Sequence, residues 1–84
     1  MSESRTATGL REVMATRLGV PAEQMALDVR LVEDLGLDSL DAVELGIAVE
    51  RRFDIDVPEE ELVQLRTVGD VVELIERHLR EKTP

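Results

Sequence analysis

The sequence contains no cysteine, tryptophan or tyrosine, and Phe53 is its only aromatic residue. Without cysteine there is no disulfide, no cysteine-ligated metal and no thiol nucleophile, so thioester chemistry would require a thiol on a prosthetic group. A hydrophobic content of 43% still supports a globular core, which must be aliphatic. The single histidine, His78, is expected to be exposed in the last turn of a helix, which argues against a Ser-His-Asp triad.

Basic residues are also scarce, since 10 lysines and arginines stand against 19 acidic residues and leave a formal charge of -9. This charge excludes a nucleic-acid-binding role, because phosphate backbones attract basic surfaces. It favours partners that present basic patches, while solubility alone is the alternative explanation of the acidity.

Long apolar runs are missing as well. No stretch approaches the length of a membrane span, and residues 1–5 lack the apolar core of a signal peptide. We therefore expect a cytoplasmic protein that does not bind membranes. A length of 84 residues is near the lower limit at which a chain buries enough surface to fold without disulfides or bound metals. It predicts one domain over residues 1–84, which we expect to be a monomer.

Apolar residues at helical spacing predict a first helix, which Gly19 should end. Residues 2–8 are small and polar, and we expect fraying there. The segment over residues 21–37 carries apolar residues without sustained periodicity, which predicts a long ordered loop with a helical turn at residues 21–24. The apolar residues of the first helix are Leu10, Val13, Met14 and Leu18.

A second helix is predicted from Ser39 to Phe53, with apolar residues on two of its sides. A narrow stripe of Leu40, Val43 and Ile47 is either buried by a neighbouring segment or exposed as a docking surface. The glycine in mid-helix costs roughly 1 kcal/mol relative to alanine, so we expect either close packing against a neighbour or room for an acyl chain there. The wider stripe, suited to the core, consists of Ala42, Leu45, Gly46, Val49 and Phe53.

Two further helices are predicted after an alternating stretch, residues 54–57, which could pass for a strand but has nothing to pair with. Pro58 should open a short helix over residues 59–65. Thr67 and Asp70 have the spacing of a capping box at the start of the last helix, with Asp in place of the usual Glu.

The last helix also carries opposite charges four residues apart, which predicts the ion pairs Glu73–Arg77 and Glu76–Arg80 on its exposed side. Together these patterns predict an all-α fold. It is a small bundle of three long helices plus one short helix, with a long ordered loop between helices one and two.

Ser39 stands at the start of the second helix between two carboxylates, Asp38 and Asp41. Gly36 should break the preceding structure, and either Asp38 or Ser39 can act as the N-cap. Taken alone, a serine in this position is most often a cap and nothing more.

The string Gly36-Leu37-Asp38-Ser39-Leu40 resembles the attachment signature of acyl carrier proteins. The likeness covers nearly the whole chain and is specific as a set. It implies that Ser39 carries a 4'-phosphopantetheine arm derived from coenzyme A, with Asp38 and Leu40 beside it. The other matching segments are the first helix, Leu31-Val32-Glu33-Asp34-Leu35, Asp41, Phe53-Asp54-Ile55, Pro58 and Thr67-Val68-Gly69-Asp70-Val71.

The resemblance also implies that the protein is not an enzyme. Acyl intermediates would be bound to the arm as thioesters, in fatty-acid or polyketide biosynthesis. An apolar cavity in the bundle would take up the acyl chain. The implied partners are a phosphopantetheinyl transferase, acyltransferases, ketosynthases and related synthase enzymes with basic docking patches. The docking residues on the second helix would be Leu40, Asp41, Val43, Glu44, Ile47, Glu50 and Arg51.

A phosphodiester on Ser39 would lie where unpaired backbone N–H groups and the helix macrodipole stabilise anions. Asp38 and Asp41 would repel this phosphate. We therefore interpret these two carboxylates as contacts for a positively charged modifying enzyme.

Two departures from the family pattern concern partners and cavity. Arg51-Arg52 stands where fatty-acid carriers often continue an acidic run, and Leu31 stands where they often have phenylalanine. Asp38 favours an acyl carrier over the alternative, a peptidyl or aminoacyl carrier of nonribosomal peptide synthesis. Met1 favours a freestanding carrier.

The alternative from a different class is a small acidic helical interaction module or calcium-binding module. Asp34, Gly36 and Asp38 imitate the start of an EF-hand loop. The pattern then fails, because position six is Ser39 instead of glycine and position twelve is Leu45 instead of glutamate. We therefore expect no metal site.

Overall fold

The computed structural model describes residues 5–82, which form four α-helices. These are α1 (Arg5–Leu18), α2 (Ser39–Phe53), α3 (Glu59–Leu62) and α4 (Val68–Lys82), with a 3-10 turn at Ala22–Gln24. The described residues contain no strand, and their only β-type contact is an isolated bridge between Arg30 and Thr67. This confirms the all-α fold with three long helices, one short helix and a long ordered loop. Among residues 5–82, no helix is both long and apolar enough to cross a membrane.

The start of α1 differs from the expectation. The helix is already formed at Arg5, and Thr6 and Ala7 are buried, so the fraying expected up to Thr8 is wrong for residues 5–8. Residues 2–4 of that expectation lie outside the described residues. Small side chains pack where a helix comes close to its neighbours. Burial of Thr6 and Ala7 therefore stabilises the first turn of α1, and the polar composition of residues 5–8 did not predict this burial.

The core is aliphatic, as predicted. Phe53, at the end of α2, is only partly buried, and the Arg52 guanidinium lies 5.7 Å from the centre of its ring. Every hydrophobic side chain that is buried among the described residues is therefore aliphatic. The largest fully buried side chains come from α1, the long loop and α4, and they are Leu10, Met14, Met25, Val68, Val71 and Ile75.

The long loop between α1 and α2 is fixed at its middle to the start of α4. The Leu31 amide donates to the Arg66 carbonyl at 2.8 Å, and the amides of Val68 and Gly69 donate to the carbonyls of Val29 and Leu27 at 2.9 and 2.8 Å. Position 69 favours glycine, because an added Cβ would lie 3.0 Å from the Leu27 carbonyl oxygen and the backbone would have to shift by a few tenths of an ångström. These contacts order the segment that leads to Ser39.

The ion pairs that support α4 differ from those predicted. Arg77 binds Glu61 of α3 instead of Glu73, and the Glu76–Arg80 pair does not form in the part of the chain that the structure describes. His78 is not exposed as expected: its side chain is only 16% exposed, and Nε2 lies 2.8 Å from the Glu61 carboxylate. The hydrogen bond from His78 is the main cause that lowers the pKa of Glu61 below its usual value.

A second contact fixes the link between α2 and α3 to the end of α4. Lys82 donates to the Asp54 carboxylate at 2.9 Å, and this hydrogen bond, aided by the charge of Lys82, lowers the pKa of Asp54. In the link itself, Ile55 and Val57 are buried without forming a strand. Their alternation therefore reflects two side chains packed on the helices.

Candidate functional site

The start of α2 is closed by a reciprocal pair of hydrogen bonds. The Asp41 amide donates to the Asp38 carboxylate at 2.9 Å, and the Asp38 amide donates to the Asp41 carboxylate at 3.1 Å. This is a capping box, in which each aspartate satisfies an amide that the helix leaves unpaired. Of the two candidate caps, Asp38 takes the role, and Ser39 becomes the first residue of the helix.

Because Asp38 caps the helix, the Ser39 hydroxyl has no structural task. The side chain is exposed, and its hydroxyl forms no hydrogen bond within residues 5–82. Gly36, with φ 71°, turns the chain in a conformation that favours glycine. The buried Leu37 anchors this turn, because its amide donates a hydrogen bond of 3.0 Å to the Leu31 carbonyl. This anchored turn presents Ser39 outwards.

The surroundings of Ser39 fit an attached phosphodiester. The amides of Ser39 and Leu40 lie in the first turn of α2, where backbone N–H groups have no helical partner and the macrodipole is positive. Asp38 and Asp41 are held in the capping box, so their presence beside the site has a structural reason in addition to the predicted contact with a basic enzyme. Ser39 would supply the attachment oxygen, and the unpaired amides of this first turn would favour the negative charge of the phosphate.

A small apolar cavity opens beside the same helix start, and Asp38 is one of its lining residues. Its volume is about 50 Å³, which is room for roughly one or two water-sized groups. Leu31 lies in the wall, at the position noted as a departure from the family pattern. The apolar lining residues are Leu31, Val32, Leu37, Ala42, Leu45, Leu62 and Leu65.

Leu62 connects this cavity to the glycine of α2. A Cβ built on Gly46 would lie 2.7 Å from Leu62 Cδ1, so α3 packs closely against α2 at this point, as the sequence indicated. The atom in the way is the end of a flexible side chain, so a Cβ at position 46 would require Leu62 to shift.

The outer face of α2 exposes the narrow apolar stripe. Leu40, Val43 and Ile47 are 67%, 41% and 47% exposed, whereas Leu45 and Val49 on the other side are buried. The alternative that a neighbouring segment covers this stripe is therefore wrong within residues 5–82. Large exposed apolar side chains in one row are typical of an interaction surface.

The polar residues predicted for docking do not all lie on this face. Glu44 and Arg51 are exposed beside the stripe, and Asp41 is partly buried in the capping box. Glu50 is partly buried, and its carboxylate accepts a hydrogen bond of 2.8 Å from the Val57 amide. The structure thus gives Glu50 a role in holding the link to α3, and the docking role of this residue stays a prediction.

Arg17 was absent from the predicted site. It lies in the last turn of α1, yet it lines a groove of about 180 Å³ together with Glu44, Ile47, Ala48 and Arg51 of α2. The sequence places Arg17 at the end of the first predicted helix, but it does not show which helix packs beside it. Only the packing of α1 on α2 brings these residues together.

The structure gives no support to a calcium site. The Asp34 carboxylate accepts a hydrogen bond of 2.8 Å from the Arg30 amide and lies 3.6 Å from the Arg30 guanidinium. No group of three or more metal-ligating side chains is found among residues 5–82. Asp34 therefore closes a turn that precedes the site.

Comparisons with known proteins agree with this geometry. The family model described as "Phosphopantetheine attachment site" matches residues 8–75. The acyl carrier protein of Akkermansia muciniphila is 44% identical over 77 residues, which cover 92% of this chain and 96% of that protein. The acyl carrier protein of Clostridium acetobutylicum is 42% identical, over 86% of this chain and 94% of its own.

A third relative, the acyl carrier protein of Wolinella succinogenes, is 48% identical over 80% of this chain and 88% of its own length. These likenesses extend over most of both sequences in each case. The chain therefore belongs to the acyl carrier protein family, whose members perform no catalysis themselves and serve other enzymes through a covalently attached 4'-phosphopantetheine.

Proposed function

We propose that this protein carries acyl intermediates on a 4'-phosphopantetheine attached to the Ser39 hydroxyl, in fatty-acid or polyketide biosynthesis. The terminal thiol of the arm supplies the thioester chemistry for which the cysteine-free chain has no group of its own. The carrier acts in the cytoplasm as one domain over residues 1–84.

The observation that carries this proposal is the division of labour between Asp38 and Ser39. Asp38 accepts the hydrogen bond that caps α2, so the neighbouring hydroxyl is exposed and unpaired in the part of the chain that the structure describes. A serine that served only to cap the helix would accept such a bond itself. The free hydroxyl also stands at a helix N-terminus, which suits a phosphate.

The outer face of α2 supports a second element of the proposal, the docking of partner enzymes. Leu40, Val43 and Ile47 supply exposed apolar area, and Asp41 and Glu44 supply negative charge close to Ser39. A phosphopantetheinyl transferase, acyltransferases and ketosynthases with basic patches would be attracted to these charges and would bury the apolar stripe.

The attachment site is tested by incubating the protein with coenzyme A and a transferase of broad specificity and by measuring the intact mass. We expect the protein to gain one phosphopantetheinyl group and Ser39→Ala to gain none. Thr67→Ala is the matched control, because Thr67 also carries a hydroxyl at a helix start but uses it as a cap. A mass gain in Ser39→Ala, or none in the parent protein, would contradict the assignment.

The nature of the cargo separates the pathways. Protein purified from its source would be analysed by mass spectrometry of the thioester that it carries. A saturated or partly reduced acyl group indicates fatty-acid biosynthesis, and a chain with several unreduced keto groups indicates polyketide biosynthesis. An aminoacyl group would contradict the proposal in favour of a peptidyl carrier.

A further inference from the structure

The exposed face of α2 changes the sign of its charge along the helix. Asp41 and Glu44 are the acidic residues nearest to Ser39, whereas Arg51 lies in the last turn. From α1, Arg17 adds a second positive charge beside Arg51. In a chain with a formal charge of -9, two neighbouring cations on the proposed docking face are a local exception.

These two cations are not neutralised inside the molecule. Within residues 5–82 neither Arg17 nor Arg51 forms an ion pair, although both are exposed. The adjacent Arg52 shows the contrast, because its guanidinium binds the Glu12 carboxylate at 2.9 Å. The charge of Arg52 is therefore compensated, while those of Arg17 and Arg51 remain available to another molecule.

The groove between these arginines has the composition of a docking pocket. Its volume is about 180 Å³, and Ile47, which is 47% exposed, gives it an apolar wall. Arg17 comes from α1 and Arg51 from α2, and Glu44 lines the same groove, so a group that enters it meets two guanidinium groups and one carboxylate, which together carry a formal charge of +1. Guanidinium groups bind carboxylates with paired hydrogen bonds, which an apolar wall strengthens by excluding water.

Glu44 and Arg51 lie at different positions along α2. Arg51 is seven positions after Glu44, which corresponds to about 10 Å along a helix. The Debye length at physiological ionic strength is roughly 8 Å. A partner carboxylate beside Arg51 is therefore largely screened from the charge of Glu44, although Glu44 lines the same groove.

We propose that the partner enzyme of this carrier presents a carboxylate to the groove between Arg17 and Arg51, next to the basic residues that face Asp41 and Glu44. This inference rests on the proposed docking through α2. It adds that the partner surface must be negative where it meets the C-terminal end of α2. A synthase with a uniformly basic patch is disfavoured, because its distal lysines or arginines would face two cations.

An alternative role for both arginines lies within the fold, because cations in the last turn of a helix offset the macrodipole. That role predicts that their removal lowers stability and leaves association with a partner unchanged. Binding kinetics and melting temperature measured on the same variants therefore separate the two roles.

The test uses the full-length loaded protein and, as probe, a ketosynthase whose docking patch is uniformly lysine and arginine. We expect Arg17→Glu and Arg51→Glu each to accelerate association by about threefold to tenfold at low salt, because repulsion becomes attraction. Arg80→Glu is the matched control, since it changes the net charge equally but lies on α4, in a groove lined by α3 and α4. Equal acceleration by Arg80→Glu would overturn the proposal.

A charge exchange gives the sharper result. The ketosynthase lysine opposite Arg51 is replaced by glutamate, after which we expect the parent protein to bind faster and Arg51→Glu to bind more slowly. Absence of this crossover overturns the proposal. If either substitution to glutamate lowers the melting temperature, Arg17→Gln and Arg51→Gln remove the charges with less disturbance of the fold. These variants should change the association rate in the same direction as the glutamate variants do.

Failure of the underlying docking face is recognised separately. Glu44→Lys should slow association with the same ketosynthase, because a basic patch would then meet a lysine next to Ser39. If Glu44→Lys and both arginine variants leave association unchanged, docking through α2 is wrong. If Glu44→Lys alone has its expected effect, the docking face stands and the groove has no part in it.

Discussion

The exposed face of α2 and the surroundings of α4 differ in how their polar side chains are used. Around α4, the Thr67 hydroxyl accepts the Asp70 amide at 3.1 Å, and Glu61 binds both Arg77 and His78. On α2, the side chains of Ser39, Glu44 and Arg51 have no partner within residues 5–82. The polar groups of one region therefore stabilise the chain, and those of the other remain available for a second molecule.

The two helix starts show the same difference with nearly the same motif. Both are capping boxes closed by an aspartate three residues after the cap. In α4 the cap is Thr67, whose hydroxyl is consumed by the box. In α2 the cap is Asp38, and the Ser39 hydroxyl lies one residue later, where it accepts no hydrogen bond from an amide. A shift of one position thus separates a hydroxyl that caps a helix from one that has no hydrogen-bond partner within residues 5–82.

The largest expected effect contrasts the two sides of α2. Leu45→Ala should lower the free energy of unfolding by about 2–5 kcal/mol, because it empties a buried position. Ile47→Ala should cost less than about 1 kcal/mol, because that side chain is half exposed and leaves no closed cavity. Urea denaturation measures both values, and equal losses would mean that the exposed stripe belongs to the core.

The second prediction compares the two hydroxyls. Thr67→Ala should lower the free energy of unfolding by about 1 kcal/mol, because the Asp70 amide loses its acceptor. Ser39→Ala should change it by less than about 0.5 kcal/mol, because no hydrogen bond is lost. Thr67→Ser is the control that keeps the cap. A comparable loss in Ser39→Ala would show that its hydroxyl also supports the fold.

The smallest effect concerns pH. His78 and Arg77 lower the pKa of Glu61 below its usual value of 4.5, so the folded state holds the Glu61 carboxylate ionised more strongly than the unfolded state does. The resulting stability is present above pH 4.5 and is lost as pH falls through the lowered pKa. Glu61→Gln should therefore flatten the fall of melting temperature between neutral and acidic pH.

Because the Glu61 pair is partly exposed, we expect a difference of a few degrees at most. Glu60→Gln is the matched control, since Glu60 is an exposed neighbour without a partner among the described residues. If both substitutions flatten the profile equally, the effect comes from the net charge and the Glu61 contacts contribute nothing specific.

Much of the fold followed from local pattern. The spacing of Leu10, Val13 and Met14 predicted the buried face of α1, and Thr67 with Asp70 predicted the capping box of α4. The two apolar stripes of α2 were recognised as well, since helical periodicity depends on the sequence alone. Only the structure shows that the stripe of Leu40, Val43 and Ile47 is exposed, because periodicity does not show whether a neighbouring segment covers it.

The residues that were misjudged all depend on a contact between distant parts of the chain. Arg77 has a suitable partner four residues earlier, yet it binds Glu61 of α3, which is sixteen positions away and comes near only in the folded chain. His78 is mostly covered for the same reason. At the candidate site, the residues beside Ser39 in the sequence predicted it as the attachment position, whereas Arg17 joins the groove beside α2 from another helix.

The hydrogen bonds between the long loop and the start of α4 have a consequence for remote communication. The segment that passes Leu27 and Leu31 continues directly to Gly36 and Ser39. A methyl group added at Gly69 would crowd the Leu27 carbonyl of this segment without approaching the serine. We therefore expect Gly69→Ala, thirty positions from Ser39, to shift the loop that positions the proposed attachment hydroxyl.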